Sequence, residues 1–188
     1  MPLSEAYLQS RYTAGRWYLT GRALRPFCLD LLEQLEAIGS PCIQHGAPVT
    51  LDDLRIAATI CSAPHGQGIR RIYQFTSWLY WRLIGRRIYS VSQEYDRWQA
   101  YLVDNYSTPQ IWTKKSDTKA RPLSTPWTLA LEIKLVQAGY LSSQARRMPL
   151  GLAVWIGLAL SEAAGGARPM TDEEQAIINQ LEAMKTHV

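Results

Sequence analysis

Two cysteine–histidine pairs are the side chains whose types and spacing most suggest chemistry. Cys42 precedes His45 by three positions, and Cys61 precedes His65 by four. Thiolate and imidazole groups bind Zn²⁺ tetrahedrally, so these four residues are candidate metal ligands. Each pair mixes the two ligand types, however, and Cys61 falls on the apolar face of a predicted helix. We therefore expect three reduced core cysteines, with Cys28 as the third, and no bound metal or cofactor.

A nucleophilic active site is not indicated by the remaining chemistry. The chain has three histidines to serve as bases, and although Cys61 stands near His65 in sequence, no acid that would orient the imidazole can be identified. Gly66 and Gly68 lack the further glycine and the Lys-Ser/Thr pair of a phosphate-binding loop. We expect a protein without catalytic activity.

A basic, aromatic-rich middle segment is the main candidate for contact with a partner. Between Gly68 and Arg147 the sequence holds thirteen Lys and Arg against five acids. Trp and Arg dominate protein interfaces, while arginines with aromatic rings also suit nucleic acid, so both partners stay open. A third reading places the tryptophans in the core. The candidate partner-binding residues are Trp78, Trp81, Arg82, Arg86, Arg87, Lys114 and Lys115.

Length and composition exclude several classes of protein. The 188 residues are 47% apolar and 19% charged, with a net charge of +4, which is enough apolar material for a folded domain. The first twenty residues lack the apolar core of a signal peptide. The longest apolar run, Met148 to Leu160, spans about 13 residues where a bilayer needs roughly 20. We expect a cytoplasmic protein without a membrane segment.

Helix signals recur through the first two thirds of the chain. The apolar spacing predicts a helix from Leu24 to Ile38, with Pro26 in its first turn and Gly39 ending it. Thr50 is a predicted N-cap for a second helix ending near Ser62. Further helices are predicted over 69–88 and 92–105, the latter presenting Tyr95, Trp98 and Leu102.

The last third is predicted to hold three more helices. Thr125 caps one that runs from Pro126 to Ala138, Pro149 opens another that ends at Ala163, and a capping box begins a terminal helix at Thr171. No segment alternates with period two, so we expect an all-α fold. The prediction is a single domain over 1–188 with six or seven helices, its subregions 1–105 and 125–188 joined by a long basic loop over 106–124.

Several short motifs resemble a family of small helical proteins from phages and prophages. The first part of the similarity is Leu24 to Pro41, where an arginine-proline-phenylalanine turn opens a leucine-rich helix, followed by a helix ending in isoleucine-cysteine-serine at 60–62. The second part is Thr125 to Glu174. It includes the Gly139-Tyr140 turn, the Met148-Pro149-Leu150 start of a tryptophan-containing helix, and a glutamate-x-x-glycine ending at 162–165.

This resemblance implies a role in phage tail morphogenesis. Such proteins act as tail assembly chaperones or related factors, and they bind the tape-measure or tail-tube protein without catalysis. The implied location is the bacterial host cytoplasm, with the virion as an alternative. A basic nucleic-acid-associated phage protein and a structural neck or baseplate component are the alternative functions, and self-association stays open.

Overall fold

A computed structural model describes residues 17–44, 46–74, 90–106 and 125–166, together with 170, 174 and 176–178. The all-α fold class is confirmed, because helices dominate these residues and only one small two-stranded sheet accompanies them. Within this part of the chain, no helix is long and apolar enough to cross a membrane. The helices are α1 (Leu29–Ala37), α2 (Leu51–Ser62), α3 (Gly68–Ile72), α4 (Val91–Asn105), α5 (Trp127–Gln137), α6 (Ser142–Arg147) and α7 (Leu150–Ala163), with a 3₁₀ turn at Pro41–Ile43.

The chain divides into two compact units. The N-terminal unit comprises Thr13–Tyr106 and Arg146–Leu150, and the C-terminal unit comprises Met1–Tyr12, Ser107–Ala145 and Gly151–Val188. The N-terminal unit therefore contains α1 to α4, and the C-terminal unit contains α5 and nearly all of α7. The single-domain organisation expected from the sequence stays a prediction.

A short hairpin opens the N-terminal unit, which the sequence did not predict. Strands β1 (Tyr18–Leu19) and β2 (Arg22–Ala23) pair antiparallel across a two-residue turn. The turn residues Thr20 and Gly21 have φ values of +48° and +77°, as the common hairpin turns require. The buried carboxylate of Glu94 on α4 accepts a 2.6 Å hydrogen bond from the Thr20 N–H and thereby holds the turn.

The start of α1 differs from the prediction. The helix begins at Leu29 rather than near Leu24, because Cys28 is extended and backbone groups of the preceding residues bond elsewhere. The N–H of Arg25 donates to the carbonyl of Cys61 at 2.9 Å, and the N–H of Phe27 donates to Oδ1 of Asn105 at 3.0 Å. Pro26 therefore lies before the helix and not in its first turn.

One face of α4 holds the N-terminal unit together. Its buried residues recur every three or four positions and bond to backbone groups of other segments: Nε1 of Trp98 donates to the Cys42 carbonyl at 2.9 Å, and the Tyr101 hydroxyl donates to the Arg25 carbonyl at 2.7 Å. Of the residues named for this helix from the sequence, Trp98 is buried and Tyr95 is exposed. The buried face also contains two polar residues, Glu94 and Asn105, which accept hydrogen bonds from backbone N–H groups.

Glycine caps end three helices as the sequence predicted. After α1, α5 and α7 the backbone turns left-handed at Gly39, Gly139 and Gly165, with φ values of +63°, +95° and +77°. In each case the next residue donates its N–H back to the helix, as Gly166 does to the carbonyl of Ser161 at 2.8 Å. These bonds satisfy carbonyls that a helix end otherwise leaves free.

Other boundaries agree less closely. The Thr50 cap of α2 is confirmed, with Asp53 bonding back in a capping box. Thr125 does not cap α5, because Pro126 takes the cap position. The short helix α6 was not predicted. Of the helix predicted over 69–88, the structure describes α3, and residues 75–89 lie outside the described residues, as do 107–124 and Thr171.

Candidate functional site

The predicted partner-binding residues cannot be placed from the described chain. All of them, like the candidate ligand His45, lie outside the described residues. They are Trp78, Trp81, Arg82, Arg86, Arg87, Lys114 and Lys115. Their assignment therefore stays a prediction from sequence.

His65 faces Cys28 and Asp30 and not the neighbouring Cys61 considered in the sequence. The Sγ atom of Cys28 lies 3.8 Å from Nδ1 of His65, and Oδ2 of Asp30 lies 3.6 Å from the same nitrogen. The same carboxylate oxygen accepts the Gly66 N–H at 2.8 Å and the Gln34 side-chain amide at 3.0 Å. This cluster joins the start of α1 to the turn after α2.

The geometry of this cluster does not match a nucleophilic triad. A triad places the nucleophile and the orienting acid at opposite imidazole nitrogens, whereas Cys28 and Asp30 approach the same one. Burial raises the pKa of the Cys28 thiol to about 11, so the thiol is protonated at neutral pH. Burial and the charges of Arg25 and Arg147 lower the pKa of His65, against the opposing effect of Asp30. The arrangement instead holds the turn after α2 in place, through the hydrogen bond from the Gly66 N–H to Asp30.

The candidate zinc ligands Cys42 and Cys61 are buried and contact different groups. Burial raises the pKa of Cys42 to about 11 and that of Cys61 further, and both thiols are free and buried. The carbonyl of Cys42 accepts the Trp98 indole bond, and Cys61 lies against the hydroxyl of Tyr101. Among the residues that the structure describes, no three Cys, His, Asp or Glu side chains are arranged to hold a metal ion.

Helix α5 presents an apolar stripe whose three side chains each keep nearly half of their surface exposed. Leu129, Ile133 and Val136 are spaced by four and three positions, so they share one helix face, and they are 43%, 46% and 44% exposed. Leu131 and Leu135 lie on another side of the same helix and are buried. The helix is therefore apolar on two sides, of which one is packed within its own unit.

The packed side of α5 lies against α7. Gly157 on α7 approaches Leu131 so closely that a Cβ there would lie 2.6 Å from its Cδ1 atom. Nζ of Lys134 donates to Oγ of Ser161 at 2.8 Å. A contiguous exposed apolar face on a helix marks a surface for another protein. The stripe was not predicted, although its i, i+4, i+7 spacing is visible in the sequence, because only the bounds and caps of this helix were inferred from sequence.

These features define a mostly helical protein whose clearest described candidate site is an exposed apolar helix face. Its sequence was compared with protein-family models and with curated proteins, and the comparison was extended to solved structures. None of these comparisons finds a match.

Proposed function

We propose that this chain is a noncatalytic protein-binding factor of phage origin, a tail assembly chaperone or related tail-morphogenesis protein, acting in the bacterial host cytoplasm. The motif resemblance suggests the class. The observation that carries the proposal is the exposed stripe of Leu129, Ile133 and Val136 on α5, with the opposite side of the helix packed. An exposed stripe of this kind is the surface that a second helix covers.

The partner proposed is an amphipathic helical segment of the tape-measure or tail-tube protein. Each of the three stripe residues has about half of its surface still to bury, and burying it would contribute about 1 kcal/mol per residue. Three anchors at this spacing match the repeat of a partner helix laid along α5. The contact would be moderate in strength, which suits a factor that leaves after assembly.

Pull-down from prophage-induced cells tests the proposal. The tagged chain is used as bait at moderate salt with nuclease present, and bound proteins are identified by mass spectrometry. We expect a tape-measure or tail-tube protein. Ile133→Asp should reduce its recovery at least about tenfold, because a charge then occupies the centre of the apolar contact.

The matched control is Val103→Asp, which places the same charge at a 65% exposed apolar residue of α4. It should leave recovery unchanged. A partner that is recovered only when nuclease is left out would instead favour the nucleic-acid alternative. Finding the chain as a fixed component of purified particles would favour the structural virion alternative.

A further inference from the structure

An open groove lies between the C-terminal halves of α5 and α7, wholly within the C-terminal unit. Its volume is about 300 Å³, at the lower end of the range of small-ligand pockets. The lining residues are Lys134, Gln137, Ala138, Leu160, Ser161 and Ala164. The groove is distinct from the stripe of Leu129, Ile133 and Val136.

Lys134 supplies the positive charge of this groove. Its Nζ donates to Oγ of Ser161 at 2.8 Å, and this bond ties the ammonium of α5 to the neighbouring helix. No carboxylate among the described residues lies within ion-pair distance of the ammonium, and the groove lining contains no acid. Within the described part of the chain, the charge of Lys134 at the wall of the groove thus has no acidic partner.

The helix ends beside the groove are capped by backbone hydrogen bonds. C-terminal helix ends normally repel anions through their free carbonyls. Here the N–H groups of Gly139 and Tyr140 bond to the last turn of α5, and those of Gly165 and Gly166 bond to the last turn of α7. Because these carbonyls already accept hydrogen bonds, the negative potential of the two helix ends is reduced, and the formal charge in the groove lining is the ammonium of Lys134.

We propose that the groove binds an aliphatic carboxylate. A carboxylate oxygen accepts from Nζ of Lys134 and from the hydroxyl of Ser161, while the hydrocarbon part packs on Leu160 and the two lining alanines. The side-chain amide of Gln137 offers a further donor at the groove. The carboxylate belongs either to a free short-chain acid or to the terminus of a peptide, and the proposal does not depend on the tail-assembly role.

Titration with hexanoate, followed by ¹⁵N NMR of the full chain, tests the proposal. We expect saturable shifts at residues lining the groove, whereas hexylamine, with the same chain and opposite charge, should produce none. Lys134→Gln removes the charge and shortens the side chain by one atom, and it should weaken hexanoate binding about tenfold. Arg70→Gln removes an exposed positive charge from α3 in the other unit and should have no effect.

A second pair of ligands separates the two sources of the carboxylate. The peptide acetyl-Ala-Leu-Leu is titrated with a free and with an amidated C-terminus. Tighter binding of the free-acid peptide than of hexanoate supports a peptide terminus, and the reverse order supports a free acid. Equal shifts with hexanoate and hexylamine, or hexanoate binding that survives Lys134→Gln, would overturn the proposal.

Discussion

Asp30 shows how one buried side chain organises its surroundings. Its carboxylate accepts bonds from the Gln34 amide and the Gly66 N–H, and it lies beside His65 and the guanidinium of Arg146. Arg146 also pairs with Glu33. Buried charges need such partners, so this cluster is explained by the packing of α1 against the turn after α2.

The three cysteines should be unreactive in the folded protein. Burial raises the pKa of Cys28 and Cys42 to about 11 and that of Cys61 further, so few thiolates exist at pH 8. Alkylation by N-ethylmaleimide, followed by mass spectrometry, should be slow in buffer and reach all three residues in guanidinium. Rapid labelling of one cysteine in buffer would contradict this placement.

The stability of the fold should decrease as the pH falls through the titration of His65. The folded pKa of His65 is lowered, so the unfolded chain, with a pKa near 6.5, binds the proton first. The stability that neutral His65 contributes to the folded protein is thus lost as the pH drops below about 6.5. Urea unfolding between pH 7.5 and 5.5 should show a smaller loss of stability in His65→Gln than in the native sequence. Equal losses in both proteins would disprove this contribution.

Asn105 should be critical for stability although it is polar. Its Oδ1 accepts from the Phe27 N–H, and its Nδ2 donates to the Tyr101 carbonyl at 2.8 Å. Asn105→Leu leaves the Phe27 N–H buried without an acceptor, which should lower the free energy of unfolding by about 1–3 kcal/mol. The exposed Gln93→Leu on the same helix should change it by less than about 0.5 kcal/mol. Denaturant unfolding compares the two, and equal effects would contradict the assignment.

At the scale of elements, close packing at two helix glycines determines whether an added methyl group can be accommodated. Gly68 opens α3 against α2, where an added Cβ would lie 2.5 Å from Oε1 of Gln34 and 3.0 Å from the Cα of Ile60. At Gly157 the added atom would meet only the flexible end of Leu131. Backbone atoms cannot move aside as the end of a side chain can. We therefore expect Gly157 to tolerate an added methyl group better than Gly68 does.

Gly68→Ala should therefore destabilise the protein more than Gly157→Ala. We expect a loss of about 1–3 kcal/mol at Gly68 from overpacking. At Gly157 the smaller clash is partly offset by the helix preference of alanine, which is worth about 0.5–1 kcal/mol. Thermal or urea unfolding of both variants measures the difference, and the reverse order would show that α3 does not pack on α2 as described.

Elements with local signals could be predicted from the sequence, and those that depend on distant partners could not. The Thr50 cap and the glycine turns at Gly39, Gly139 and Gly165 are set by neighbouring residues, and the structure has them. The late start of α1 depends on Asn105, which is 78 positions from Phe27. The Cys28–His65 contact likewise spans 37 positions, so no local pattern reveals it.

At the scale of the whole molecule, the proposed partner surface and the main hydrogen-bonded core belong to different units. The stripe on α5 lies in the C-terminal unit, while the hydrogen bonds of α4 hold the N-terminal unit. Substitutions in the stripe should therefore change partner binding more than stability, because each side chain keeps nearly half of its surface exposed. Substitutions on the buried face of α4 should act through stability.

Co-expression with the proposed partner, the tape-measure protein, is the sharpest test of binding by the α5 stripe. The soluble fraction of that protein is measured with the native chain, with Ile133→Asp, and with the Val103→Asp control. We expect the native chain and Val103→Asp both to keep the tape-measure protein soluble, and Ile133→Asp to fold but fail to do so. Two results would contradict this expectation: a tape-measure protein that is equally soluble with all three chains, or one that is just as soluble when no such chain is co-expressed.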